Sequence, residues 1–382
     1  MTRSKAKAPE VVEPTVSLPE SVGVAARFTE SNPTTPLAPL FYLGADNTIR
    51  ASTGTVGVQW PAPLSLSTPV AVEGAQFAKL IQSYALSSRA ITLSLSSGKL
   101  VVKCAGSRVS LPAITATDDL LAFMQRTPPK ERTATPPEFW DHVSSALEFA
   151  AKSDEDSAFR GVYVFPGGDL AASDRERIVV YHPSKEHRIT LSHPLFLPAH
   201  MLERVDRAVL RTVTHLGVHD EALWLFFASS TMTMWGALLK AEFPAAKIAE
   251  FVKHARTARG KSHCDLTTHT SDVLAALDRI VMLTSAPFAT VFQFEGDRLA
   301  VSSESRQADA VHVAERISAK CAGEGKAYVN AKLMRDVLPF ASVVHTGAAG
   351  PGGGMLYCVP NTTPPVVEVL VALLAPPPET VP

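Results

Sequence analysis

His254, His263, Cys264 and His269 are of types that bind zinc. Their spacing matches no standard tetrahedral site, and a loop with scattered histidines is the simpler reading. Glu148, Asp154, Glu155 and Asp156 offer paired carboxylates for acid–base chemistry, but they gather near a predicted helix end, where a solvated acidic surface is expected. Gly350-Pro351-Gly352-Gly353-Gly354 lacks the Lys-Ser/Thr of a phosphate-binding loop and opens no helix, so it reads as a hairpin tip. No Gly-x-Ser-x-Gly and no His-Glu-x-x-His occurs. Trp60, Trp140, Trp224 and Trp235 are not interleaved with bases as a stacking platform would be, and read as core or interface. The cations remain. Arg204, Arg207 and Arg211 are spaced i, i+3, i+7, on one face of a predicted helix. Such a face makes sequence-blind, easily exchanged contacts with phosphates; the plain alternative is an ordinary solvated helix.

The elements that must position these residues are repeated. Val72–Ile81 (VEGAQFAKLI), Phe196–Val205 (FLPAHMLERV) and Tyr328–Val337 (YVNAKLMRDV) align with alanine in one column, at Ala75, Ala199 and Ala331. Phe77, Met201 and Leu333 follow two columns on, and Ile81, Val205 and Val337 four beyond that, the i, i+4 spacing of one apolar helix face. Upstream of each copy lies a strand–turn–strand pattern, with Asn47–Ser52, Gly168–Ser173 and Asp297–Ser302 in matching places, preceded by a helical pattern at Val24–Phe28, Val143–Ala151 and Val273–Met282. Downstream lies a further hairpin, clearest where Ile91–Leu95 and Leu100–Cys104 flank Ser97-Gly98, and then a last strand. Three units of roughly 120 residues account for the chain's 382. Thr127–Thr133 and the basic stretch Lys253–Lys261 read as connectors between them.

Composition fits this reading. Hydrophobic residues are 46% and charged residues 19%, enough for real cores. The formal net charge of -1 shows no global basic field, though a neutral total can hide a basic face. The four cysteines, Cys104, Cys264, Cys321 and Cys358, are far apart, and reduced thiols are expected. The N-terminus has no secretory pattern and no run approaches the roughly 18 apolar residues of a membrane helix, so a soluble, intracellular protein is expected.

The order of elements, the triplication and the length resemble the bacterial DNA sliding clamp, the β subunit of DNA polymerase III. Asn32–Leu37 resembles that family's first helix-to-strand turn. Ala172–Ile178 resembles its Ala-Thr-Asp-Gly-His-Arg-Leu, Glu242-Phe243-Pro244 the Phe-Pro closing its second domain, and Tyr328–Leu333 its Phe-Asn-x-x-Tyr-Leu. The likeness spans about residues 17 to 374, and its departures point to a distant relative, with a phage or mobile element as one candidate source.

The resemblance implies an α+β fold of three DNA-clamp domains, each with two helices packed on antiparallel sheets, assembling into a ring. Domains would span 17–126, 127–253 and 254–374, between a disordered tail at 1–16 and a Pro-rich tail at 375–382. It implies a non-catalytic processivity factor without cofactor or metal, forming a head-to-tail homodimer around double-stranded DNA. Its partners would be DNA polymerase and a clamp-loader ATPase, in the bacterial cytoplasm or that of a phage host. DNA-facing cations would be Arg27, Lys152 and Arg279 on first helices, and Lys79, Arg204, Arg207, Arg211, Lys332 and Arg335 on second helices. A pocket for partner peptides would involve Ser173, Arg175, Arg177, Ile178, Pro244, Val371, Ala372 and Leu373. There the family's Gly-His is Arg175-Glu176 and its Met-Pro-Met ending is Val371-Ala372-Leu373, which implies a narrower or differently charged pocket. A clamp-fold interaction scaffold that does not encircle DNA is the alternative; a hydrolase finds no assembled site.

Overall fold

The computed structural model describes residues 17–30, 35–85, 90–219, 224–230, 232–238, 242–258, 262–304, 311–350, 353–362 and 365–375. The tails at 1–16 and 376–382, residues 32–34 of the first expected turn, and 351–352 of the expected hairpin tip lie outside them. The first repeat runs α1 (Leu18–Ala26), β1 (Leu40–Leu43), β2 (Thr48–Ser52), β3 (Val56–Pro61), β4 (Val70–Glu73), α2 (Gly74–Tyr84), β5 (Thr92–Ser96), β6 (Lys99–Cys104) and β7 (Ser107–Pro112), then β8 (Ile114–Thr115) and α3 (Asp118–Met124). The second runs β9 (Thr133–Ala134), α4 (Pro137–Leu147), β10 (Gly161–Val164), β11 (Leu170–Ser173), β12 (Arg177–Tyr181), β13 (Leu195–Pro198), α5 (Ala199–Leu202), α6 (Arg207–Leu210), β14 (His215–His219), β15 (Trp224–Ala228), β16 (Thr233–Ala237) and α7 (Ala245–Ala258). The third runs β17 (Ser262–Asp265), α8 (Thr270–Leu283), β18 (Ala289–Glu295), β19 (Arg298–Ser303), β20 (Ala314–Ser318), β21 (Lys320–Ala322), β22 (Glu324–Asn330), α9 (Ala331–Val337), β23 (Val343–Gly350), β24 (Gly353–Val359) and β25 (Val367–Ala372).

Each repeat carries a front sheet before its second helix and a back sheet after it. The chain forms two compact units that cut across the repeats: residues up to Arg132 with Val213–Ala237, and Thr133–Thr212 with residues from Leu238 onward. The reason is that a front sheet fuses with the back sheet of the next repeat. In the first unit the order is β8-β4-β1-β2-β3-β16-β15-β14, with β3 joined antiparallel to β16 from Gln59↔Thr233 to Val56↔Gly236. In the second it is β13-β10-β11-β12-β25-β24-β23-β17-β21, with β12 joined to β25 from Arg177↔Val371 to Tyr181↔Val367. Two sheets stay separate: β5-β6-β7 in the first unit and β20-β19-β18-β22 in the second.

Both fused sheets are covered on both faces, so β1, β11, β12 and β13 are buried along their whole length rather than at alternate residues. In the first unit Phe77 of α2 meets Phe41 of β1 edge-on at 6.3 Å. On the other face Leu120 and Met124 of α3 pack on Leu40, Tyr42 and Ala71. In the second unit Ile248, Val252 and Ala255 of α7, an i, i+4, i+7 stripe, pack on Ile178, Val180, Tyr357 and Leu370. The opposite face takes α4 and α9: Phe149, just past α4, meets Phe340, just past α9, at 5.5 Å.

Local chemistry sets the helix starts. Ser17 caps α1, Thr117 caps α3 and Asn330 caps α9, each side chain accepting a backbone N–H of the first turn. The second helices begin at equivalent points: the N–H groups of Gly74, Ala199 and Ala331 donate to the carbonyls of Pro39, Arg160 and Phe288 at 2.8, 2.9 and 3.0 Å. The residue matching Ala199 and Ala331 is therefore Gly74 and not Ala75. A Cβ at Gly74 would come within 2.9 Å of the Phe41 ring and the Pro39 carbonyl, which the small residue avoids.

Three further expectations are corrected. Cys264 of β17 and Cys321 of β21 face each other in register and are joined as a disulfide, while Cys104 and Cys358 are buried thiols. The basic stretch expected as a connector continues α7 as far as Ala258. The helix expected to carry Arg204, Arg207 and Arg211 on one face breaks: α5 ends at Leu202, and Asp206 is extended and starts α6. Asp favours such a start over a helix interior.

Candidate functional site

The turn between β11 and β12 organises the site. Asp174 Oδ1 accepts the N–H groups of Glu176 and Arg177 at 3.1 and 2.7 Å, and Ser173 Oγ accepts that of Arg175 at 3.1 Å. Arg175 takes a left-handed conformation, φ +74°. Strand alternation then sends Ile178 toward α7 and Arg177 toward α4 and α9.

On the α7 side lies a cleft of about 400 Å³. Ile178, Ile248, Phe251, Met355 and Leu373 give it apolar walls, and Phe159, Ser173, Pro244, Gly354 and Ala372 complete them. Arg175 and Lys247 are its two cations. Arg175 lies over the Phe159 ring at 5.3 Å and pairs with Asp156 at 2.5 Å. Behind, Tyr163 stacks on Phe243 at 5.0 Å, and burial raises the Tyr163 pKa. An apolar cleft with cations at its lip suits one or two apolar side chains of an extended segment and an acidic group beside them.

Of the eight residues assigned from sequence, Ser173, Arg175, Ile178, Pro244, Ala372 and Leu373 line this cleft. Arg177 and Val371 point to the other face. Arg177 binds Asp174 at 2.7 and 2.9 Å and Asp336 at 3.2 Å, and lies over the Phe149 ring at 5.1 Å. Sequence reasoning missed Lys247, Ile248 and Phe251. The apolar stripe from Ile248 to Ala255 after Pro244 is the signal that marks their helix.

The nine assigned cations are spread over both units. Arg27 ends α1 and Lys79 is exposed on α2. Lys152 is exposed after α4, and Lys332 is exposed on α9. Arg204 follows α5. Arg207 and Arg211 share Asp141 of α4 at 2.7 and 3.4 Å. Arg279 forms a two-point contact with Glu315, both at 2.6 Å, which raises its pKa. Arg335 lies 3.5 Å from Asp278.

The histidines weighed for zinc sit apart in the fold. His254 is on α7, His269 precedes α8, and the ring of His263 on β17 lies 5.3 Å from that of His345, tilted by 38°. Among the described residues no group of three or more His, Cys, Asp or Glu is placed to hold a metal. No helix among them is long and apolar enough to cross a membrane.

No protein-family model matches the chain, and no curated protein matches it. Solved structures do match. The DNA polymerase III β subunit of Thermotoga maritima is similar at a TM-score of 0.75 and 16% identity, over 94% of this chain and 97% of that one. The β subunit from the DNA polymerase of Streptococcus pyogenes is similar at 0.77 and 12%, over 94% and 97%. The DNA polymerase sliding clamp of Bacillus subtilis is similar at 0.74 and 13%, again over 94% and 97%. The chain has the α+β sliding-clamp fold.

Proposed function

We propose that this chain is a DNA sliding clamp. Two copies close head to tail around duplex DNA and tether a DNA polymerase, among other DNA-processing partners, through the cleft at Arg175. It acts as a non-catalytic processivity factor. The observation that carries this is a strand join made twice and left open once at each end. β3 meets β16 and β12 meets β25, the third strand of a front sheet against the last strand of the next back sheet. β20 holds the third-strand place in the third repeat and β7 the last-strand place in the first, and both are sheet edges among the described residues. Exposed edges of this kind are templates for a further strand. A second copy supplies it, β20 to β7, and making the join twice leaves neither edge open.

The ring then holds six modules, built in each chain from residues 17–126, 127–253 and 254–374. The nine cations, on the helices or just beyond their ends, face the bore and meet phosphates without reading sequence. A loader ATPase opens the ring, and the cell's cytoplasm is its place of work. With that loader, the protein should be retained on circular duplexes and slide off linear ones. Equal retention on both, or none on circles, sinks the reading. The pairing of Arg207, Arg211, Arg279 and Arg335 with carboxylates favours one second reading, an interaction scaffold with the same fold that binds partner peptides and never encircles DNA. It predicts cleft-dependent peptide binding with no retention on circles.

A further inference from the structure

Helix α7 touches two clefts. Lys247, Ile248 and Phe251 in its first half line the cleft described above, while Arg256 near its end lines another, of about 790 Å³. At the base of this second cleft is Glu368 of β25, fully buried. Its carboxylate accepts hydrogen bonds from Arg256 Nε at 2.9 and 3.1 Å, from His182 Nε2 at 2.8 Å and from the Tyr357 hydroxyl. His182 Nδ1 in turn faces Asp169 at 3.0 Å, and Arg188 holds Asp169 at 3.2 Å. Burial opposes a charge on His182, but its hydrogen bonds to Asp169 and Glu368 outweigh this and raise it to about 9, so the ring is protonated at neutral pH.

His182, Lys185, Arg188 and Arg256 are thus four cations against two carboxylates, which leaves an excess of two positive charges. Each carboxylate is shared, Glu368 between His182 and Arg256 and Asp169 between His182 and Arg188. Among the described residues Lys185 has no carboxylate partner, and the side chains of Arg188 and Arg256 are 36% and 53% exposed. Ser184 adds a hydroxyl, and Pro183, Pro365 and Val366 add apolar wall. We propose that this cleft binds a phosphate group through Lys185, Arg188, Arg256 and Ser184. A phosphate dianion matches the excess charge, and guanidinium forks match its oxygens. The buried network fixes Arg256 and Arg188 beforehand, so little ordering is needed on binding.

Calorimetric titration of the full chain at low ionic strength with inorganic phosphate, pyrophosphate and adenosine diphosphate tests this. Saturable binding is expected, weakened at least about tenfold by Lys185→Glu, which removes a charge-assisted contact and adds a like charge. Ser184→Ala should weaken it less. Both residues are exposed and outside the buried network, so the thermal midpoints of the variants should match that of the parent. Tighter binding of the nucleotide than of pyrophosphate points to a nucleotide as the source of the phosphate; equal or weaker binding points to free phosphates. No saturable binding of any probe, or binding that Lys185→Glu leaves unchanged, overturns the proposal.

Discussion

Arg207 donates its Nε–H to Asp141 across 2.7 Å, and the same carboxylate lies 3.4 Å from Arg211. One acid on α4 thus half-neutralises two cations that the proposed bore would turn to DNA. Weak, screened attraction suits a ring that must slide, because each phosphate contact made also displaces counterions and strengthens the hold. Asp141→Asn should therefore tighten duplex binding and steepen its salt dependence, by up to about 0.9 in the log–log slope for each cation released. Fluorescence anisotropy at several salt concentrations checks this. An unchanged slope places Arg207 and Arg211 away from the duplex.

Much of this fold could be read locally. Ser97-Gly98 marks a two-residue hairpin turn, and both residues have positive φ, at 51° and 70°. The helical patterns around Val24, Val143 and Val273 correspond to α1, α4 and α8. What stayed hidden is non-local. The joins β3–β16 and β12–β25 link residues more than a hundred positions apart, and fully buried strands carry no alternation to reveal a partner. The Cys264–Cys321 bond spans 57 positions and depends on the same kind of pairing. The cleft shows both cases: Ser173, Ile178 and Pro244 follow from a local resemblance, while Ile248 and Phe251 lie on α7, a helix that only the contacts of its apolar stripe with distant strands reveal.

Arg175 stands where the resemblance to the clamp family implies glycine, and its backbone is left-handed, φ +74°. A side chain there costs roughly 1–2 kcal/mol, of which the entropy of glycine takes back part. The exposed Arg175–Asp156 pair returns little. Arg175→Gly should raise stability by about 0.5–1 kcal/mol in chemical denaturation while removing a cation from the cleft lip. Partner peptides with an acidic residue beside the apolar anchor should then bind more weakly than those without one. A loss of stability would show that the stacking of Arg175 on Phe159 outweighs the strain.

His182 and Glu368 make stability depend on pH with opposite signs. Burial alone would raise the Glu368 pKa, yet hydrogen bonds from His182, Arg256 and Tyr357 outweigh it and lower it from 4.5 to about 2. Its contribution is full above 4.5 and is lost as pH falls toward 2. His182 is raised from 6.5 to about 9, so its contribution is full below 6.5 and is lost as pH rises through 9. Both are complete only between these limits, and stability should peak at mildly acidic pH. His182→Gln should remove on the order of 2 kcal/mol at pH 6 and much less at pH 10. Denaturation midpoints across that range decide it, and a difference independent of pH would mean that His182 is neutral in the fold.

Met282 and Leu283 end α8 with 73% and 45% of their surface exposed, unusual for large apolar residues. One turn earlier Arg279 grips Glu315 of β20, so the apolar pair lies beside the edge strand that a second copy would extend. In a monomer these side chains would be a liability for aggregation; in a ring they would be anchors at the join. Changing both to Asp should leave the fold intact, since neither belongs to a buried core. It should weaken self-association by at least about thirtyfold, the equivalent of some 2 kcal/mol. Light scattering coupled to size exclusion should show the parent as a dimer and the variant as a monomer at equal concentration. Retention on circular DNA should vanish with the dimer. A variant that stays dimeric would move the ring contact away from β20, and with it the head-to-tail closure on β7.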